Sequence, residues 1–407
     1  MFLFIPSNYR PRSRNVAILY IGLLAFTVVA VINRNTFLEL LRPTKYPARE
    51  IPEIKTPDEK SHETQRDQSS NEVSSLAAML TERLEMSNDA SPIRYSYRCK
   101  LEMNTKPCRD VRCPRAKQSR TGRVEDLLSD HFQLSRRQLD AIISLGKSVQ
   151  VSDVIIASAV SFNHYEEMQA MFKALHEEVY PTLLNFTMVL FDLGLSQEQL
   201  RMTKKNCRCQ VVPFDFDLFP KHVRDLHCYS WKPLIIRAMA ERATTLIVWQ
   251  DASVRWAEGF QVIFKRAALY GQQIVVTDHA DRVTSNTMPE MFKYMKEEVC
   301  RYHGVPEIAN AMALHRPDPL VVRAIMDPWA RCALEASCMC PAKYSVWVIR
   351  HCVKHAGNHR CHRFDQSALT LLTAKLYGEE RYKIEIPEEH KHVRVMRGDR
   401  IRTYFQD

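Results

Sequence analysis

The chain has 407 residues, 45% of them hydrophobic, and a formal net charge of +10. That supports a real core, with length for an anchor, a spacer and one large domain or two small ones. The positive balance favours an anionic partner, such as a phosphate-bearing small molecule or a membrane surface. The basic residues are scattered and no nucleic-acid motif occurs, so nucleic acid is not an expected partner.

Residues 1–15 read as a cytosolic tail with Arg10, Arg12 and Arg14. Val16 to Ile32, "VAILYIGLLAFTVVAVI", carries no charge. At ~1.5 Å per residue the run spans about 25 Å, short for a plasma membrane and suited to a thinner internal one. Residues 16–33 therefore read as a transmembrane signal anchor, with the three arginines held in the cytosol. Arg34, Arg42, Lys45 and Arg49 blur that charge rule, and "AVINR" would also suit a cleaved signal peptide. The length of the run favours an uncleaved anchor.

Residues 34–92 are rich in Pro, Glu, Lys, Ser and Gln and read as an extended stalk. Within it, Val73, Leu76, Met79, Leu80 and Leu84 predict an amphipathic helix over Asn71 to Met86, able to pair two stalks into a homodimer. A collar follows over 93–150, with Cys99, Cys108, Cys113 and a helix capped by Ser135. All twelve cysteines lie beyond the anchor and none forms a CxxC pair, which fits disulfides in an oxidising lumen. Asn185-Phe186-Thr187 is an N-glycosylation sequon usable there. Together these features describe a type II luminal protein.

Residues 151–407 alternate strand and helix. Strands are expected at Asp153–Phe162, Phe186–Leu195, Cys209–Phe216, Thr244–Asp251 and Gln272–His279. The helices between them include one capped by Ser196 and one with Pro233 in its first turn. Such alternation implies an α/β fold with a mostly parallel sheet flanked by helices. Later helices are expected at Pro289–His303, Pro319–Glu335 and Phe364–Leu376. In "RHCVKHAGNHRCHRF", Cys352 and Cys361 bracket a comfortable disulfide loop, with zinc binding as the alternative. Cys207/Cys209 and Cys338/Cys340 are too close to pair easily within themselves, so partners are expected among Cys228, Cys300 and Cys332.

Ligands of open α/β sheets bind beyond the carboxyl ends of the strands. "LIVWQDASVRW" drives an apolar run straight into Asp251 at such an end. A carboxylate there can hold a cation on a diphosphate or bond a ribose; it can also simply cap a turn. A rival Asp-x-Asp, Asp215-Phe216-Asp217, ends the preceding strand.

The order of these elements, with "YSWKPLIIRAMAERATTLIVWQDASV", resembles nucleotide-sugar glycosyltransferases of the GT-A fold. "IANAMALHRPDP" is similar to their acceptor-side strand and "HRFDQS" to the Asp-Gln start of a late helix. The chain also resembles uncharacterised invertebrate type II membrane proteins. The GT-A resemblance implies a Golgi or ER enzyme moving a sugar from a nucleotide donor to a glycan, protein or lipid. It implies donor binding by Asp251, Ser253, Lys232 and Arg255, with Asp365 or Asp278 as the catalytic carboxylate. It implies Mn²⁺ or Mg²⁺ on Asp251, with His392 as a late ligand and Asp215 and Asp217 as the alternative pair. Ser253 replaces the second acid of the family motif, which puts the metal in doubt and leaves open a non-catalytic binding or assembly protein on the same scaffold.

Overall fold

The computed structural model describes residues 61–86, 118–276, 283–302, 305–341, 361–387 and 389–406. The expected tail, the anchor over 16–33, the outer parts of the stalk, Cys99, Cys108, Cys113, Asp278 and Cys352 lie outside them. Among the described residues no helix is long and apolar enough to cross a membrane.

Three helices come first, α1 (Ser61–Glu85), α2 (Arg120–Leu128) and α3 (Arg136–Leu145). Strand and helix then alternate: β1 (Ser152–Val160), α4 (Tyr165–Ala174), β2 (Phe186–Asp192), α5 (Gln197–Asn206), β3 (Gln210–Pro213), α6 (Trp231–Met239) and β4 (Ala243–Gln250). Next are β5 (Val254–Trp256), α7 (Gln261–Tyr270), β6 (Gln272–Val276), α8 (Pro289–Tyr294), β7 (Ile308–His315) and α9 (Asp327–Ala333). The chain finishes with α10 (Phe364–Tyr377), β8 (Glu385–Pro387), β9 (Glu389–His390) and β10 (Val393–Val395).

The main sheet runs β3–β2–β1–β4–β7–β6–β8, and a small one runs β5–β10–β9. In the main sheet β7 opposes both neighbours, and every other pairing is parallel. This is the mixed, mostly parallel, helix-flanked sheet that the sequence leads one to expect. Val154 to Ala157 and Leu246 to Trp249 are buried without a break, as strands covered on both faces require. Ser135 and Ser196 each close a capping box, with Gln138 and Gln199. Every residue of α6 is buried, Lys232 and Arg237 included; Arg237 is neutralised by Asp327 and Glu241.

Helix α1 covers the expected amphipathic segment, but its apolar face has a different use. Val73, Leu76, Ala77, Leu80 and Leu84 are buried in the common core, and α1 packs on α2 and α7. Arg83 reaches Asp318 at 2.6 Å. Gly271, at φ +83°, ends α7 beneath that guanidinium, where an added Cβ would lie 2.4 Å from it. The apolar stripe read from the sequence as a stalk contact therefore belongs to the domain.

The described disulfides include Cys228–Cys340 and Cys332–Cys338, which agree with the expected choice of partners. Cys207–Cys209 departs from it: the two bond to each other, because Arg208 between them is left-handed, at φ +51°, and turns the chain tightly. Cys361 is also disulfide-bonded, which removes its thiolate from any zinc site. Leu80→Ala should lower the unfolding free energy of the full chain by about 2–5 kcal/mol, as for other buried leucines. Denaturant titration checks this; a change within error would place α1 outside the cooperative unit.

Candidate functional site

The site forms where β4, β7, α6 and α10 converge. After the buried run of β4, Gln250 is still fully buried, and Asp251 is the first side chain with an opening, 33% exposed. Its N–H donates to the Ala311 carbonyl at 2.7 Å, and its own carbonyl accepts from Val254 N–H at 3.0 Å, closing a tight turn.

Opposite this turn β7 is irregular. Its register against β6 jumps from Ile274–Ala313 to Val276–Ile308, so the intervening residues bow out as a bulge. Asn310 lies in the bulge at φ +47°. Three successive carbonyls are thereby turned towards the site: Ala309 accepts from Gln366 Nε2, Asn310 from Lys232 Nζ, and Ala311 from Asp251.

Lys232 is the hub. Its ammonium lies 3.0 Å from Asp251 Oδ1, 3.3 Å from Asp365 Oδ2 and 3.2 Å from the Asn310 carbonyl. Lys232 and Asp365 are each only 3% exposed. Burial pulls the lysine pKa down, yet the two carboxylates outweigh it and hold the group above its ordinary value. Burial pushes the Asp365 carboxyl up, and Lys232 with the Asn310 amide, 2.6 Å away, offsets this only in part. Trp249 Nε1 donates to Asp251 Oδ1 at 2.9 Å. Oδ1 is thus doubly bonded inward, while Oδ2 has no partner among the described residues. Tyr229, Asn310 and Phe364, all left-handed, border this cluster. Such backbone costs about 1–3 kcal/mol per residue and gathers at sites that need fixed geometry.

The sequence candidates separate sharply. Lys232, Asp251 and Asp365 come together. Ser253 is buried in the following turn, its carbonyl taken by Met396 N–H at 2.7 Å. Arg255 bonds Asp399 at 2.9 Å and the Ala252 and Val254 carbonyls, contacts that fasten the small sheet. His392 bonds the Glu258 carbonyl on the same ribbon. Asp215 and Asp217 lie after β3, three strands from β4, or about 14 Å at ordinary strand spacing. Asp215 caps its own turn and Asp217 pairs with Arg224, so neither joins Asp251. Asn185 is exposed before β2 in a left-handed turn. Gln366, Asn310 and Trp249 fall within the motifs of the sequence but carry no expected role there, because a bulge carbonyl or an indole N–H leaves no mark in composition.

A divalent ion fits these residues poorly. Asp251 offers one free oxygen, Ser253 brings no charge, and the Lys232 ammonium stands where a second cation would be repelled. The positive charge that steadies the carboxylate is the lysine itself.

Residues 126–237 match a family described as "Protein of unknown function (DUF1647)", a span that includes Tyr229 and Lys232 but stops before Asp251. No curated protein matches the chain. Among solved structures it is similar to the galactosyltransferase LgtC with donor and acceptor sugar analogues, at 10% identity over 60% of this chain and 87% of that one, TM-score 0.33. It is similar to the S. cerevisiae mannosyltransferase Ktr4p with GDP, at 8% identity over 62% and 80%, TM-score 0.35. It is also similar to mouse xyloside xylosyltransferase 1, at 12% identity over 61% and 98%, TM-score 0.34. At these scores the likeness carries no argument about substrate or reaction.

Lys232→Met would strand Asp365 and half of Asp251 without their cation, a loss of about 3–5 kcal/mol for a broken buried pair. Calorimetry of the full chain should show a strongly lowered melting temperature. An unchanged melt would mean that the three bonds are incidental.

Proposed function

We propose that the chain is a nucleotide-sugar-dependent glycosyltransferase acting on a glycan, protein or lipid acceptor, without a divalent ion on Asp251. The observation that carries this reading is the carboxylate of Asp251, held on one oxygen by Lys232 and open on the other, at the carboxyl end of β4. Such an oxygen accepts a hydrogen bond from a donor hydroxyl, and its charge is already balanced from behind, so it need not bind a metal to stay in place. Asp365 is buried and bonded on Oδ2 to both Lys232 and Asn310. It is a positioning residue in this reading, and the acceptor base is a different group.

A second reading, a binding protein on the same scaffold, draws on one observation: Lys232 uses its ammonium entirely within the fold. Turnover separates the two. The full chain in detergent should release sugar from a nucleotide donor to acceptor or water, equally with and without a chelator. Asp251→Asn should cost about a hundredfold or more, comparable to loss of one preorganised group in other active sites; because Lys232 loses one of its two counter-charges, its melt should fall as well, and activity is compared well below the melt of the variant. Full activity in that variant, or a strict requirement for Mn²⁺, would contradict the reading.

The setting we propose with it is luminal, on a Golgi or ER membrane, anchored by residues 16–33. Support comes from the uncharged run Val16 to Ile32 and from cysteines that all follow it, with no free cysteine among the described residues. Expression in a secretory cell should give a glycan removable by endoglycosidase and absent from Asn185→Gln. A chain of unglycosylated mass would count against this placement.

A further inference from the structure

The turn between α5 and β3 carries the disulfide Cys207–Cys209, which differs from the other described pairs. Its half-cystines are 2 residues apart, against 112 for Cys228–Cys340 and 6 for Cys332–Cys338. Closing so short a ring takes little entropy from the unfolded chain, so of the three this bond gains least from cross-linking. It also holds Arg208 at φ +51°, a left-handed conformation that a residue with a Cβ adopts at a cost. Cys332 and Cys338 are fully buried, and Cys228 nearly so. Arg208 is exposed and Cys209 half-buried, so a reagent approaching the β3 edge of the main sheet meets this turn. Strained disulfides within reach of solvent are the ones that exchange with thiols.

The same turn is a point of attachment. The Cys207 carbonyl accepts from His176 Nε2 at 3.0 Å, and the Arg208 carbonyl from the Tyr180 hydroxyl at 2.8 Å. The Arg208 guanidinium lies 4.7 Å from the centre of the Tyr180 ring. Burial lowers the His176 pKa, so the ring is neutral at pH 7. With Nε2–H donating to a carbonyl, Nδ1 is left as the acceptor, and the Tyr404 hydroxyl donates to it at 2.9 Å. Asn206 Nδ2 donates to the Gln406 carbonyl at 3.0 Å, and Phe405 N–H to Gln169 Oε1 at 2.9 Å. Upstream, Ile401 N–H donates to the Glu166 carbonyl at 3.1 Å and Met396 N–H to the Ser253 carbonyl at 2.7 Å, in the turn after Asp251. Residues 396–406 thus form a strap from the Asp251 turn to the Cys207 turn.

We infer that Cys207–Cys209 is a thiol-exchange site for a protein dithiol, and that its reduction unlatches the C-terminal end of this strap. The incoming thiolate attacks Sγ of Cys209, the less buried residue of the pair. The S–S bond breaks, and the Cys207 sulfur leaves with the electron pair and takes a proton from water. The second thiol of the reductant then displaces Cys209 from the mixed disulfide. Two electrons and two protons pass to the protein, which ends with two thiols, and the reductant ends as a disulfide. Without the cross-link Arg208 is free to return to ordinary backbone angles. That turns both carbonyls away from His176 and Tyr180, and the imidazole that holds Tyr404 loses its orientation. The exchange stands apart from the glycosyl-transfer reading and does not depend on it.

The test is native-state reduction of the full chain in detergent, in buffers of graded reduced and oxidised dithiothreitol, read by alkylation and peptide mass spectrometry. Cys207 and Cys209 should be labelled at a reduced-to-oxidised ratio about tenfold or more below that needed for Cys228, Cys340, Cys332 and Cys338, a gap of about 30 mV. Arg208→Gly, which adopts the left-handed angle freely, should need a ratio about fivefold higher than the parent does. Hydrogen exchange of the natively reduced protein should quicken about tenfold at residues 401–406 and stay unchanged in β1 and β4. The double variant Cys207→Ser, Cys209→Ser should show the same fast segment without any reductant. The inference is overturned if Cys207 and Cys209 are labelled only together with the buried pairs, or if their reduction leaves exchange at 401–406 at the parent rate.

Discussion

One buried ammonium organises the part of this protein where chemistry is expected. Lys232 has its side chain inside the fold and divides its donors among Asp251, Asp365 and the Asn310 carbonyl. Those partners belong to the turn after β4, the start of α10 and the bulge of β7. A lone charge at such a depth would cost several kcal/mol, so the two carboxylates are the condition on which the lysine stays charged. The dependence is mutual, since Asp365 is buried and would otherwise lack a counter-charge.

The rest of the site follows from that arrangement. Because Lys232 and Trp249 take Asp251 Oδ1, Oδ2 is the oxygen left to face outward. The β7 bulge turns Asn310 so that its carbonyl meets the lysine and its amide meets Asp365. Left-handed backbone at Tyr229, Asn310 and Phe364 fixes the surrounding loops at a cost that packing elsewhere offsets. A cation built into the protein in this way holds the carboxylate from within the fold; in the transfer reading proposed above, a diphosphate would take its positive charge from another side chain.

Much of this was legible in the residues. An apolar run ending in Asp251, a lysine on the preceding helix and an acid opening a late helix are local patterns, and periodicity placed their elements correctly. The serine caps were equally readable, because a capping box is a four-residue motif. What escaped depends on distant parts of the chain. The bulge at Asn310 has no composition of its own. The apolar stripe of α1 announced a helix but not the surface it covers. The Asp215–Asp217 spacing imitates a metal motif, yet sheet order puts it three strands from β4. Cys207–Cys209 turned on a left-handed Arg208 that no spacing rule anticipates. The family resemblance implies His392 as a late metal ligand; the fold places it beside β10, which pairs with β5 next to the Asp251 turn, and its ring bonds the Glu258 carbonyl.

The claim at the centre is that Lys232 does at Asp251 what a divalent ion would otherwise do. The most direct measurement is the thermal stability of the full chain with nucleotide sugars, in chelator and then in Mn²⁺. Ligand that binds the folded state raises the melting temperature by mass action. The account predicts that at least one donor stabilises the protein in chelator, with no further gain from Mn²⁺. Stabilisation that appears only with the metal, or by no donor under either condition, would contradict it.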